Sequence, residues 1–97
     1  MREVGKTSLQ TYFKKAVIEA GGLVDHFKAP GRNGVPDFIV TWRRVGWAKI
    51  DMVEIKVDDG EISKLQEIDH AKRKTMNCHV KVLWSKADID DYVLHQC

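Results

Sequence analysis

The sequence is poor in the features that mark membrane, secreted and zinc-binding proteins. No apolar run approaches the roughly 20 residues that a membrane-spanning helix needs, and the first residues, Met1 to Lys6, contain no apolar core of a signal peptide. Only two cysteines occur, Cys78 and Cys97, and the paired C-x₂-C or H-x₃-H spacing of structural zinc sites is absent. We therefore expect a protein that acts in a cytoplasm, with free thiols and no structural zinc.

An excess of charge of either sign is also missing. The 16 Lys and Arg residues and 14 Asp and Glu residues leave a formal charge of +2, a mildly basic balance that is compatible with nucleic-acid binding without indicating it. The chain has 97 residues, 43% of them hydrophobic, which is enough for one compact core. Because the sequence shows no repeat, linker or low-complexity segment, we expect a single domain over residues 1–97.

Hydrophobic spacing predicts elements in the order α-β-β-β-α-β-α. The first helix is marked by apolar residues at helical spacing and a glycine pair that stops it: Leu9, Phe13, Ala16, Val17, Ala20, Gly21 and Gly22. Strands are predicted over 23–28, 37–43, 49–57 and 79–84. A capping box of Ser63 and Gln66 begins a second helix that runs to about Met76, and a short helix follows over 87–94. The fold class is α/β, with a mixed sheet flanked by helices.

The predicted third strand contains an unusual pair of charges. Glu54 and Lys56 emerge on one face of the strand and Ile55 on the other, because side chains alternate along a strand. Charges are depleted in central strands, since burying them is costly unless they are paired or bind a metal. A solvated edge strand with a Glu-Lys pair is the alternative interpretation.

A second acid, Asp37, follows a glycine-rich loop at the start of the predicted second strand. Ordinary turn chemistry explains an Asp at such a boundary. However, a hairpin that turns at Val45 and Gly46 places Asp37 directly opposite Glu54, with Cβ atoms ~5 Å apart. Like charges at that distance are destabilising unless a cation lies between them, and carboxylates with water and phosphate oxygens suit Mg²⁺. Lys56 is then placed to orient or deprotonate an attacking water, or to neutralise the reacting phosphate.

These residues resemble known nucleases. Pro36-Asp37 followed by Glu54-Ile55-Lys56 is similar to the PD-(D/E)xK pattern of restriction-endonuclease-like enzymes. The surroundings resemble the VRR-NUC family, in its stand-alone bacterial or phage form, over about residues 3 to 86. The matching positions are Gly21-Gly22, Lys28, Pro30-Gly31, Gly34 to Asp37, Val53 to Lys56, Ile62-Ser63 and Gln66.

The resemblance implies an αβββαβ restriction-endonuclease-like core, dependence on Mg²⁺ or Mn²⁺, and a homodimer. It implies that Asp37, Glu54 and the Ile55 carbonyl bind metal, that Lys56 is the catalytic lysine, and that Gln66 lines the site from the second helix. The family also has an acid in its first helix. Glu3 is the best candidate, two residues further from Gly21-Gly22 than expected, whereas Glu19 is too close to the end of the helix.

Several basic residues are candidates for contact with nucleic acid. Lys28, Arg32 and the backbone of Gly31 to Gly34 lie in sequence beside Asp37, where phosphate positioning needs cations or N–H groups. Helix residues with the same potential, for which a solvated helix face is the alternative, are Lys14, Lys15, Lys72, Arg73 and Lys74. The four histidines have no partner at motif spacing. Trp42 and Trp47 are expected either to stack on bases or to pack in a dimer seam.

The prediction is therefore a Mg²⁺- or Mn²⁺-dependent endonuclease that hydrolyses DNA phosphodiester bonds in a bacterial cell or a phage-infected host. The preferred DNA, whether a plain duplex, a nick, a flap or a branched junction, stays open. A non-catalytic nucleic-acid-binding module is the main alternative, and an interaction protein or a toxin-antitoxin component is another. Two further arguments favour a homodimer: cutting two strands needs two sites related by a twofold axis, and a core this small is not expected to bury Trp42, Trp47 and Trp84 together.

Overall fold

Helices and strands follow one another in the predicted order. The structure is a computed structural model that describes residues 5–31, 34–57 and 61–96. Its elements are α1 (Lys6–Glu19), β1 (Leu23–His26), β2 (Phe38–Arg44), β3 (Trp47–Ile55), α2 (Lys64–Thr75), β4 (His79–Leu83) and α3 (Lys86–Leu94). In the described ranges, no helix has both the length and the apolar character needed to cross a membrane.

The four strands form one mixed sheet in the order β1-β2-β3-β4. The first three form an antiparallel meander, and β4 lies parallel to β3 after the crossover through α2. The turn between β2 and β3 is Val45-Gly46, and pairing runs from Arg44 opposite Trp47 to Phe38 opposite Val53. The register predicted for this hairpin is therefore confirmed, and β3 is an inner strand.

The predicted ends of several elements were wrong by one to two residues. The strand β3 begins at Trp47 rather than residue 49, because a two-residue turn lets pairing continue to the tip of the hairpin. At the other end of the meander, β1 stops at His26, where its partner β2 begins at Phe38. The helix α2 begins after the predicted capping box of Ser63 and Gln66, which is present.

The hydrophobic core lies between one face of the sheet and the helices α1 and α3. Its buried members are Leu9, Phe13, Val17, Phe38, Val40, Trp42, Val53, Ile55, Leu83, Ile89 and Tyr92. The expectation that Trp42 stacks on bases or packs in a dimer seam was wrong, because its ring lies in this core and its Nε1 donates to the Tyr92 hydroxyl at 2.9 Å. The Trp42 ring fits against the backbone only because residue 22 is glycine, since a Cβ there would lie 2.8 Å from the ring.

A buried acid, Asp51, ties three elements together on the core side of the sheet. Its carboxylate accepts from the Tyr92 hydroxyl of α3 and lies 3.3 Å from Lys49 Nζ and 3.2 Å from His79 Nδ1 of β4. Burial and the hydrogen bond to Asp51 raise the pKa of Tyr92, so its hydroxyl keeps the proton that it donates. Since buried polar groups need partners, Asp51 is structurally satisfied. Sequence reasoning did not single out this network.

Candidate active site

The hairpin register brings Asp37 and Glu54 together on the face of the sheet opposite the main core. Asp37 directly precedes β2, and continuing the pairing of Phe38 with Val53 by one step sets it opposite Glu54. The carboxylate of Asp37 is held by two donors to Oδ2: the Ile55 backbone N–H at 3.0 Å and Gln10 Nε2 at 3.4 Å. The predicted juxtaposition of the two acids is therefore confirmed.

Glu54 is fully buried, and neither of its carboxylate oxygens has a hydrogen-bond partner among the described residues. The interpretation of this segment as a solvated edge strand is thereby excluded. The nearest cations are the ammonium groups of Lys6 and Lys56, at 3.7 Å and 3.8 Å from Oε2. A buried charged oxygen without a hydrogen bond is costly, so the fold retains an acid that it does not satisfy.

The environment of Glu54 changes its proton affinity. Burial, and then the negative charge of Asp37, raise the pKa of Glu54, while Lys6 and Lys56 oppose the shift; the pKa rises from 4.5 to about 7. A hydrogen bond with Asp37 is available only to the protonated form, because two ionised carboxylates both accept. Such coupling between two acids is typical of sites that bind a cation or transfer a proton.

The chemistry of the donor set fits a hard divalent cation. Glu54 offers two oxygens without partners, and Asp37 lies opposite. The Ile55 N–H points at Asp37. Because the N–H and C=O of one strand residue point to the same side of the strand, the Ile55 carbonyl also faces the side on which Asp37 lies. Oxygen donors of these kinds are those that Mg²⁺ takes. Within the ranges the structure describes, no group of three or more His, Cys, Asp or Glu side chains is arranged to hold a metal ion.

The first helix supplies a lysine and an amide where the resemblance implied an acid. The α1 side chains that reach the acids are Lys6, with Nζ 3.5 Å from Asp37 Oδ2, and Gln10 one turn later. Sequence reasoning missed both, although their i, i+4 spacing places them on one helix face. Glu3 lies outside the described residues. Glu19 ends α1, about 20 Å along the helix from Lys6 at 1.5 Å per residue, so it does not belong to this site.

Gln66 and Gly34, two predicted site residues, make structural contacts near the start of α2. The Gln66 side-chain oxygen accepts from the Ser63 N–H at 3.0 Å, and the Gln66 N–H donates to Ser63 Oγ. Gly34 has φ +86°, and a Cβ there would lie 2.6 Å from the Leu65 carbonyl oxygen. Gly34 therefore lets the loop before Asp37 approach α2, and a direct part for Gln66 in the reaction stays a prediction.

The predicted phosphate-binding residues are mostly exposed. Lys15 and Lys28 are open to solvent, and Lys14 Nζ lies 3.4 Å from His26 Nε2. Arg32 falls outside the described residues. Arg73 is already engaged, since it pairs with Asp69 at 2.6 Å and lies over the Phe27 ring, so it is a packing residue of α2.

Known proteins resemble the chain in both sequence and structure. No protein-family model matches it. The chain is 31% identical over 86 residues to "Putative nuclease p44" of Acyrthosiphon pisum secondary endosymbiont phage 1, covering 89% of each chain. It is also similar to a solved structure described as "VRR_NUC domain", with a TM-score of 0.84, 27% identity, and coverage of 95% of this chain and 97% of that one.

Proposed function

The chain belongs to the VRR-NUC family of nucleases, and from this premise we propose that it is a Mg²⁺- or Mn²⁺-dependent endonuclease that hydrolyses DNA phosphodiester bonds. One observation carries the proposal: Glu54, fully buried and without a hydrogen-bond partner in the described structure, faces Asp37 across a fixed hairpin. The arrangement is costly for the metal-free protein and suited to a divalent cation.

Each residue of the site then has a separate task. Asp37 and Glu54 would hold the ion, together with the Ile55 carbonyl. When bound, the ion supplies positive charge at the scissile phosphate and makes water more acidic. Lys56 is held close to Glu54, with its backbone N–H bonded to the Leu83 carbonyl of β4 at 3.0 Å. Its ammonium orients the attacking water or neutralises charge that develops on the phosphate oxygens.

Substrate positioning is assigned to the basic residues around the Asp37 end of the sheet. Lys28 and the Gly34 backbone contact the DNA phosphates, Lys14 and Lys15 extend that surface along α1, and Arg32 is assigned to the same task from its position in the sequence alone. Contacts of this kind fix the register of the DNA without reading its sequence. They are compatible with a branched DNA as well as a plain duplex.

A non-catalytic DNA-binding module explains the site less well. A purely structural acid would resemble Asp51, whose oxygens are bonded to Tyr92, His79 and Lys49. Glu54 lies three residues away on the same strand and has none of these partners. The difference between the two buried acids favours a role for Glu54 toward a bound cation.

Plasmid cleavage tests the proposal. Supercoiled plasmid incubated with the protein and Mg²⁺ or Mn²⁺ should become nicked or linear, and EDTA or Asp37→Asn should prevent this. A panel of labelled duplex, nicked, flapped and branched DNAs then identifies the preferred substrate. DNA binding that survives EDTA, without cleavage under any metal, would instead establish the binding module.

We also infer that the enzyme is a homodimer. The sheet face away from the main core carries a strip of cross-strand neighbours, Leu23, Thr41 and Ile50, which we term the open face. Leu23 and Ile50 are both more than half exposed. Exposed apolar area of this kind supports an interface, and a second copy of the chain would bring the second active site that double-strand cleavage needs.

A further inference from the structure

Lys6 lies where the acid pair needs a cation, yet it belongs to no nuclease motif. It is the first residue of α1, and its Nζ is 3.5 Å from Asp37 Oδ2 and 3.7 Å from Glu54 Oε2. A single ammonium therefore bridges the carboxylate that directly precedes β2 and the carboxylate of β3. Most lysine-carboxylate pairs at protein surfaces contribute little, but one of these carboxylates is fully buried.

The charges of the metal-free site are balanced by the chain itself. When both acids are ionised, Asp37 and Glu54 contribute two negative charges, and the ammonium groups of Lys6 and Lys56, each within 4 Å of a carboxylate oxygen, contribute two positive charges. A divalent ion on the same carboxylates would bring two more positive charges beside both ammonium groups. Repulsion between such close charges is strong in a partly buried site. The ammonium group of one of the lysines therefore has to move away from the carboxylates.

The two lysines differ in their freedom to move. Lys56 is 13% exposed and follows directly after β3, with its N–H bonded to β4. Lys6 is 42% exposed and begins a helix whose N-cap, Gly5, makes no side-chain cap. A lysine has a flexible four-carbon stem and a strongly hydrated head, so an exposed one at a helix start can turn outward with little cost.

We propose that Lys6 is an internal counter-cation: it occupies the acid pair in the metal-free protein, yields to the divalent ion, and then binds a phosphate of the DNA. The proposal rests on the proposed nuclease function and adds to it a coupling between metal binding and DNA binding. Metal and Lys6 compete for Asp37 and Glu54, and the displaced ammonium becomes available to the substrate only when the metal is present. DNA is thereby held more tightly by the protein that is ready to cut it.

Calorimetric titration of metal-free protein with Mn²⁺ tests the competition. Lys6→Met should bind Mn²⁺ roughly tenfold more tightly than the wild type, since a competing charge is gone. Lys6→Arg keeps the charge and should stay near the wild-type affinity. The matched control is Lys15→Met, which removes the same charge from an exposed position of the same helix. Equal Mn²⁺ affinities for Lys6→Met and Lys15→Met would overturn the proposal.

DNA binding tests the second half of the proposal. With Lys56 in place, and with binding followed by stopped flow before any DNA is cut, Lys6→Met should weaken duplex binding with Mn²⁺ present and lower the salt dependence by about one phosphate contact. Without metal the same change should have little effect. An equal loss with and without Mn²⁺ would reduce Lys6 to an ordinary phosphate contact and overturn the coupling.

The two proposals fail in different ways. A wild-type protein that binds Mn²⁺ and cuts plasmid, but whose Mn²⁺ affinity does not respond to Lys6→Met, refutes only the counter-cation. A wild-type protein that neither binds Mn²⁺ nor cuts any DNA refutes the metal-dependent nuclease. If Lys6→Met alone gains Mn²⁺ binding in that case, the competition itself is supported. Thermal unfolding of each variant shows that it is folded.

Discussion

Two acids on β3 are buried to the same degree and serve opposite purposes. Asp51 is surrounded by donors from three elements, whereas Glu54 has only ammonium groups beyond hydrogen-bond distance. Asp51 holds the sheet to α3 and contributes to stability. Glu54 is kept in place by the rest of the fold at a cost in stability, which is typical of functional sites.

The cost at Glu54 makes stability depend on pH. Its pKa is raised to about 7 in the folded protein from 4.5 in the unfolded chain, so the folded state binds more protons between these values. The free energy of unfolding of the metal-free protein should therefore fall as the pH rises from about 4.5 to about 7 through this group, with the loss complete above 7. Glu54→Gln should remove this component, and at pH 8 should raise the melting temperature.

Adding metal should stabilise the wild type but not Glu54→Gln. Mn²⁺ or Mg²⁺ at 100 times its Kd should stabilise the wild type by about 2.7 kcal/mol, and Glu54→Gln should abolish that gain. Thermal unfolding at pH 5, 6, 7 and 8, with and without metal, makes both comparisons. If the metal-induced shift persists in Glu54→Gln, these carboxylates are not the site.

Lys56 is expected to act in the reaction rather than in binding. Lys56→Ala should still bind metal and DNA but lose cleavage by roughly 10²- to 10⁴-fold, the usual contribution of a positioned proton-transfer or charge-stabilising group. Lys56→Arg should also be poor, because a planar guanidinium does not replace a compact ammonium. Single-turnover cleavage measures the loss, and Lys81→Ala, exposed on the neighbouring strand, is the control. A near wild-type rate for Lys56→Ala ends its assignment.

The residues of the site were predictable to different extents. Asp37 and Glu54 could be paired from sequence because a two-residue turn fixes the register of a hairpin. Lys6 and Gln10 could not, since nothing local tells how the start of α1 sits against the sheet. The resemblance directed attention to acids in this helix, whereas a lysine reaches the site.

At the scale of elements, local signals located the helices and strands, and packing decided what they face. The Ser63-Gln66 capping box marked the start of α2 because capping is a local interaction. Trp42 was misread because its burial depends on Gly22 and on Tyr92, which is 50 residues away in sequence. The burial of β3 likewise depends on β4, which arrives only after a helical crossover.

Two glycines test how the loop before Asp37 is held. Gly31 and Gly34 both have positive φ, at +78° and +86°, but only Gly34 lies against backbone, that of Leu65. Gly31→Ala should cost about 1 to 2 kcal/mol from conformation alone. Gly34→Ala should cost about 3 kcal/mol or more, since the loop must also move away from α2. Denaturant unfolding measures the free energy of unfolding of both variants. Equal losses of stability would mean that the contact between Gly34 and α2 does not contribute to the cost.

For the whole molecule, the expected mass in solution is about twice that of the 11.1 kDa chain. The open face should form the interface, because Ile50 at one end of the strip is 55% exposed, Leu23 at the other end is 60% exposed, and Thr41 lies between them. Ile50→Glu should halve the mass measured by light scattering at micromolar protein. Val45→Glu, at a turn residue that is 98% exposed, should not.

The tryptophan seam is the competing location of the dimer. Since Trp42 lies in the core, an interface at this location would have to be formed by Trp47. The Trp47 side chain is on the other face of β3 from Ile50. Trp47→Ser should leave the dimer intact if the open face is the interface. A mass near 11 kDa for the wild type across the micromolar range would exclude a dimer altogether.

The pairing of β4 with β3 also sets the order in which the protein assembles. The β2–β3 hairpin closes over a two-residue turn, whereas the parallel pair must wait for a crossover through α2, and such distant contacts form more slowly. Asp37 and Glu54 therefore meet early, while the strand that encloses Glu54 on its other side arrives late. Interactions that form late affect the rate of unfolding more than that of folding. Raising the pH should accordingly speed the unfolding of the metal-free protein more than it slows refolding, as stopped-flow measurements in denaturant can determine.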